Sequence, residues 1–307
     1  MHVHDDHDHG HHHHGPADYG LAFAVGISLN VVFVGIEAVF GYWAHSLALL
    51  ADAGHNLSDV LGLLIAWGAL HLAKTRPTER RTYGLRRSSI LAAVFNAVVL
   101  LIAIGAIAWE AVGRFVHPAP VAGATVMVVA GIGIVINGLT AALFASGRKS
   151  DVNIEGAFLH MAADAAVSVG VLVAGAVILY AGWTWLDPVV SLLIVLVIAI
   201  GTWDLLRRSF DLAMDAVPAH IDPAAVRDYL SALPGVSDIH DFHIWAMSTT
   251  ETALTAHLIR SVPELDDAFL HDVSERLHHE FHIHHVTIQI ESGHGPQVCH
   301  LSHEDSV

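Results

Sequence analysis

The chain has 307 residues, 54% of them hydrophobic and only 14% charged, with a mean hydropathy of +0.54. That balance excludes a single soluble domain and points to an integral membrane protein with a soluble part. The formal charge of −16 at pH 7 counts all 26 histidines as neutral, and the single cysteine, Cys299, excludes an intrachain disulfide and any Cys-based zinc cluster within one protomer. The excess acid sits mainly at the two ends, which is compatible with attracting cations, and no nucleic-acid partner is expected.

The segment Met1–Gly15 is of low complexity, with eight histidines interleaved with Asp5, Asp6 and Asp8. The irregular mixing, with no histidine run longer than four, reads as a metal-gathering tail rather than an expression tag. Residues 1–16 are expected to be disordered without metal. Six apolar runs follow, each long enough to cross a hydrocarbon core that takes about 20 helical residues. They are roughly Gly20–Trp43, Ser46–His71, Ser88–Gly113, Val121–Ala145, Ile154–Trp183 and Leu186–Leu206. The first follows a His/Asp-rich stretch instead of a short basic region, so no cleavable signal peptide is expected.

Orientation follows from lysine and arginine. Lys74, Arg76, Arg80, Arg81, Arg86 and Arg87 lie between the second and third runs, Arg148 and Lys149 between the fourth and fifth, and Arg207 and Arg208 after the sixth. The opposite side has only Arg114. Both termini are therefore expected in the cytoplasm, with the bacterial inner membrane as the host bilayer. Glu110 and Asp204 lie near the ends of their runs, where interfacial solvation accounts for them. Glu37 lies deeper. Gly105, Gly113, Gly131, Gly133 and Gly138 read as sites of close helix packing.

After Pro218 the pattern changes. Asp222 followed by Pro223 is a helix start, with Asp as N-cap, leading into Ala224–Leu233. Val236–Met247 and Thr252–Arg260 alternate like strands around the polar turn Ser248–Glu251. Pro263–His282 reads as an amphipathic helix with Leu265, Phe269, Val273, Leu277 and Phe281 on one stripe. His285–Glu291 closes as a strand. The order α-β-β-α-β suits a small sheet with helices on one face. About 75 residues is small for a self-sufficient core, so a homodimer is expected. The expected domains are a tail at 1–16, a six-helix membrane domain at 17–215, a cytoplasmic domain at 216–292 and a C-terminal tail at 293–307.

Chemistry concentrates in two His-x-x-x-Asp pairs inside apolar runs: His55 with Asp59, and His160 with Asp164. Residues four apart on a helix share a face, so each pair projects two ligand atoms one way. As structure alone, the pairs would place four desolvated ionisable groups in hydrocarbon with no basic partner. Brought together, two imidazoles and two carboxylates form a tetrahedral set suited to Zn²⁺. The same groups bind protons when the metal leaves, which supplies a coupling mechanism. Asp52, three residues before His55, reads as a supporting acceptor or a proton carrier, and Asn56 as an interhelical hydrogen bond. The cluster His278, His279, His282, His284 and His285 is one residue short of the His-Glu-x-x-His protease spacing. Cys299, His300 and His303 read as a frayed tail, with metal capture or contact with a partner chain as the alternatives. No enzyme activity is expected.

These motifs resemble the cation diffusion facilitators, in their zinc/proton antiporter branch. The resemblance is carried by Ser46-Leu-Ala-Leu-Leu-Ala-Asp-Ala-Gly-His55-Asn-Leu-Ser-Asp59, by Tyr83-Gly-Leu-Arg-Arg-Ser-Ser-Ile-Leu-Ala-Ala and by His160-Met-Ala-Ala-Asp164. Leu186-Asp-Pro-Val-Val-Ser and His285-Val-Thr-Ile-Gln-Ile-Glu291 match as well. It implies a homodimer with six spans per protomer, a ferredoxin-like cytoplasmic domain and export of Zn²⁺ against inward proton flow by alternating access. It also implies a cytoplasmic metal site at His240, His257, His271 and Glu291. Gln289 stands where some members have His, and an amide is a poorer zinc ligand. Arg87 and Asp215 match positions that form an inter-helix charge pair in some members; an ordinary interfacial Arg is the competing account. The rival functional readings are a metal-sensing receptor that binds zinc without moving it, and an intramembrane hydrolase.

Overall fold

The computed structural model describes residues 20–73, 75–145, 152–260 and 267–292, together with Cys299 and Leu301. The expected His-rich tail at 1–16 lies outside them, as do Leu265 and most of the C-terminal tail. Among the described residues six long helices come first: α1 (Gly20–Trp43), α2 (Leu47–Ala73), α3 (Ser88–Val116), α4 (Gly123–Phe144), α5 (Val152–Ala181) and α6 (Leu186–Ala213). They coincide with the six apolar runs to within a few residues at most ends; α3 and α6 run further, to Val116 and Ala213. Among the described residues four of them, in α3, α4, α5 and α6, are long and apolar enough to cross a membrane. The chain divides into two compact units, Met1–Asn56 with Ala111–Ser191 and Leu57–Glu110 with Leu192–Val307.

In the first unit α4 and α5 pack closely because glycines face each other. A methyl group on Gly123 would sit 2.7 Å from the Gly175 carbonyl oxygen, and one on Gly133 would meet the Phe33 ring at 2.6 Å and Ser168 Oγ at 2.9 Å. Of the five glycines expected at packing contacts, Gly133 is tightly enclosed, whereas among the described residues nothing is found within 4 Å of such a group on Gly105, Gly113 or Gly138.

The start of α2 is capped from a distance. The Asp187 carboxylate, at the first turn of α6, accepts from Ser46 Oγ at 2.5 Å, Leu47 N at 2.8 Å and Ala48 N at 3.4 Å. Helix N-termini leave their first N–H groups without intrahelical partners, and a carboxylate there also suits the helix dipole. Arg114, near the end of α3, donates to the His45 carbonyl and faces Asp187 Oδ2 at 3.4 Å. Three segments are thereby locked around the entry to the helix that carries His55.

The second unit holds the C-terminal domain: α7 (Pro223–Ser231), β1 (Val236–Ala246), β2 (Thr252–Arg260), α8 (Asp267–Phe281) and β3 (His285–Glu291). Asp222 caps α7 as expected, accepting from Ala224 N at 2.9 Å. The sheet order is β1-β2-β3, antiparallel then parallel. Val226 and Leu230 of α7, Val273 and Leu277 of α8, and Leu254, Ala256 and Leu258 of β2 share one core. Alternation along β2 then turns His257 to the opposite face. A bulge between His240 and His243, with Asp241 at φ 47°, shifts the parity of β1, so that Ile239 and Ile244 both reach the core. Leu258 is fully buried. Leu258→Ala is expected to cost about 2.7–5 kcal/mol through lost burial and the cavity left behind. Amide hydrogen exchange of β2 in the full chain checks it, with correspondingly faster exchange expected.

Candidate metal centres

The first centre grows from helix spacing. His160 and Asp164 stand one turn apart on α5, and His55 projects from α2. Asp164 is 2% exposed and lies between the two imidazoles: His55 Nε2 is 3.5 Å from its Oδ1 and His160 Nε2 is 3.6 Å from its Oδ2. The two rings meet edge to face with centroids 6.0 Å apart. Two ligand atoms each about 2.0–2.1 Å from one tetrahedral zinc stand about 3.4 Å apart. The observed spacings are close to that. Asp59 is half-buried and follows His55 by one turn of α2, on the same face.

A buried polar layer supports α2 from α1. Glu37 is fully buried, and its Oε2 accepts from Asn56 Nδ2 at 3.0 Å. The interhelical hydrogen bond expected of Asn56 is therefore present, with the deep acid of α1 as its partner. It fixes the rotation of α2 next to His55. Asp52, 1% exposed, lies one turn before Asn56.

The second centre is on the sheet of the C-terminal domain. His240 and His257 are paired residues on β1 and β2, with Gln289 in register with His257 on β3. Glu291 Oε1 lies 3.4 Å from His240 Nε2 and 3.2 Å from His257 Nδ1. The other nitrogen of His257, Nε2, lies 3.3 Å from Asp241 Oδ2. A carboxylate on one imidazole nitrogen orients the ring and leaves the other nitrogen for a metal. The bulge supplies that carboxylate, which strand alternation alone did not disclose. Burial raises the Glu291 carboxyl, but hydrogen bonds from Gln289 and Cys299 and the facing His240 and His257 together hold it below its ordinary value. Gln289 thus serves as a donor to Glu291, at 2.9 Å.

The donor set fits a borderline metal ion. His240 is 9% exposed, and among the described residues neither of its ring nitrogens has a hydrogen-bond partner. A buried imidazole in that condition is costly unless something else occupies it. Two expectations change here. His271 stands exposed on α8, outside this group, because α8 docks through Phe269, Val273 and Leu277 and leaves His271 off that stripe. Cys299, expected in a frayed tail, lies instead at the site: the ligand atoms of His240, His257, Glu291 and Cys299 all fall within 4.8 Å of one another.

Residues 23–212 match the cation efflux transmembrane domain, and residues 218–293 match the cytoplasmic domain of cation efflux proteins. The chain belongs to the cation diffusion facilitators. It is 36% identical over 270 residues to the metal cation efflux system protein CzcD of Cupriavidus metallidurans, covering 87% of this chain and 85% of that one. It is 36% identical over 286 residues to the zinc transporter ZitB of Escherichia coli, covering 92% and 90%. The cadmium, cobalt and zinc/H⁺-K⁺ antiporter of Bacillus subtilis is 35% identical over 266 residues, with 84% of each covered. The solved metal-bound C-terminal domain of the CzcD transporter is 36% identical and aligns with 23% of this chain and 99% of its own length, at a TM-score of 0.22.

As a cation diffusion facilitator, the protein is a multi-pass integral membrane transporter that exports divalent metal cations. The charge pair that some facilitators carry is also present: Arg87, just before α3, is ion-paired with Asp215, just after α6. Both side chains are about half exposed, so the pair contributes little stability by itself.

Proposed function

We propose that this facilitator carries Zn²⁺ out of the cytoplasm in exchange for protons, through one membrane site per protomer built from His55, Asp59, His160 and Asp164. The observation that carries the reading is Asp164, buried between two histidine nitrogens at 3.5 and 3.6 Å. Asp59 is assigned as the fourth ligand from its helical spacing to His55. Two imidazoles and two carboxylates form a neutral assembly with a divalent ion, which suits zinc in a membrane interior. When the ion leaves, protons replace it on the same atoms. Metal and H⁺ are then alternative occupants, and alternating access of the site converts an inward proton gradient into outward metal flow. The names of the relatives, one a zinc transporter and one an antiporter of cadmium, cobalt and zinc, support both the cargo and the exchange.

The reading makes the protein a carrier and not an enzyme, working as a homodimer with six spans per protomer and both termini in the cytoplasm. Zinc held at His240, His257 and Glu291 would favour one arrangement of the dimer and so bias transport, in proportion to its preference for that arrangement. Zinc uptake into proteoliposomes under an imposed pH gradient tests the carrier. Flux that follows the gradient and is lost in the double variant Asp59→Ala, Asp164→Ala is expected. Tight zinc binding without gradient-dependent flux in either protein would make it a sensor instead. Regulation is tested by replacing His240, His257 and Glu291, with an altered apparent affinity for transport expected; unchanged zinc dependence would count against it.

A further inference from the structure

We infer that Cys299 is a thiolate ligand of the cytoplasmic centre, so that a single metal ion ties the C-terminal tail to the sheet. Cys299 Sγ lies 3.7 Å from His257 Nδ1, and it falls within 4.8 Å of a Glu291 carboxylate oxygen. A sulfur 2.3 Å and a nitrogen about 2.0–2.1 Å from one tetrahedral zinc stand about 3.6 Å apart. An independent observation points the same way. His240, nine-tenths buried, directs Nε2 to within 3.4 Å of Glu291 Oε1, while neither of its ring nitrogens makes a hydrogen bond among the described residues. That imidazole is poised for an ion, and the other three donors converge on the same volume.

The thiolate also answers the problem at Gln289. The strand position in register with His257 holds an amide that is engaged as a donor to Glu291, which leaves three protein ligands on the sheet. Cys299 supplies the fourth from outside it. A site of two imidazoles, one carboxylate and one thiolate takes borderline to soft divalent ions, Zn²⁺, Co²⁺ and Cd²⁺, in preference to Mg²⁺ or Mn²⁺. It also differs chemically from the membrane set of imidazoles and carboxylates. Thiol-modifying agents should therefore act on the cytoplasmic centre and leave the membrane ligands untouched. This inference does not depend on the direction or the coupling of transport.

Cys299 is the only cysteine in the chain, so thiol chemistry on the full-length protein in detergent reports on it alone. Two readouts are needed: the rate at which an aromatic disulfide reagent modifies the thiol, with and without Zn²⁺, and the near-ultraviolet thiolate-to-cobalt charge-transfer absorption on titration with Co²⁺. The His-rich N-terminal segment contains no cysteine and cannot produce that thiolate absorption. Zinc is expected to slow modification about tenfold or more, since a metal-held thiolate is a poor nucleophile. Co²⁺ should raise the charge-transfer band in the wild type, and Cys299→Ser should lack it while the protein remains folded. His240→Ala with His257→Ala should lose both the band and the protection. Zinc that fails to slow modification, or a wild type that binds Co²⁺ without the band, overturns the assignment. So does protection that persists in the double histidine variant, because the thiol would then be shielded by something other than the shared ion.

Discussion

Asp164→Asn is expected to reduce gradient-driven zinc flux by roughly 10²- to 4 × 10³-fold, the factor that corresponds to about 3–5 kcal/mol for breaking a buried charge set by removing one partner. The substitution keeps the side-chain volume and one oxygen, so the helices need not repack. It removes the negative charge between His55 and His160. Without it, the two imidazoles face each other across an amide whose nitrogen cannot bind metal. Proteoliposome flux measures the loss, and isothermal zinc titration identifies its source. Flux lost together with one bound ion per protomer places the residue among the ligands. Flux lost with the bound ion retained would make Asp164 part of the conformational step, and flux near that of the wild type would remove it from the mechanism.

Asp187→Ala should be the most destabilising single change in the membrane domain, by about 3–5 kcal/mol. Asp187 is 1% exposed, and its carboxylate serves Ser46 Oγ, two backbone N–H groups at the start of α2, and Arg114. Alanine deletes a helix cap and takes away the carboxylate that compensates a guanidinium whose side chain is itself only 10% exposed. Thermal unfolding of the detergent-solubilised protein checks this, with a clearly lowered midpoint expected for Ala. Asp187→Asn retains an acceptor for the α2 N–H groups and should lie between Ala and the wild type. An unchanged midpoint for Ala would mean that water fills the cap without cost. Because α2 carries His55 and Asp59, the surviving Ala protein should also show weaker zinc binding.

Much of this architecture was legible from local pattern. The apolar runs mark the helices because a membrane span needs length and little else. Asp222 with Pro223 marks the start of α7, since capping is a contact within three residues. The strands at Thr252–Arg260 and His285–Glu291 end where the alternation ends. The His-x-x-x-Asp pairs declared a shared face on each helix, and the structure sets His55 beside His160 and Asp164.

Other features have no local signature. Asp187 reads as one acid at the end of an apolar run; its role as the cap of α2 depends on Ser46, 141 residues away. The bulge at Asp241 rotates β1 by one residue and turns a surface acid onto His257, which period-two alternation cannot disclose. His271 carries a histidine's chemistry, but the packing of α8 turns it to solvent. Cys299 has no periodic context at all, and only the fold around it sets its sulfur beside His257. By itself the sequence determined which segments leave water, which residues can bind metal and which of those share a helix face, because burial and helical spacing are short-range properties. Only the tertiary structure decided which ligands meet, since that depends on the register of strands and the contact of helices far apart in the chain.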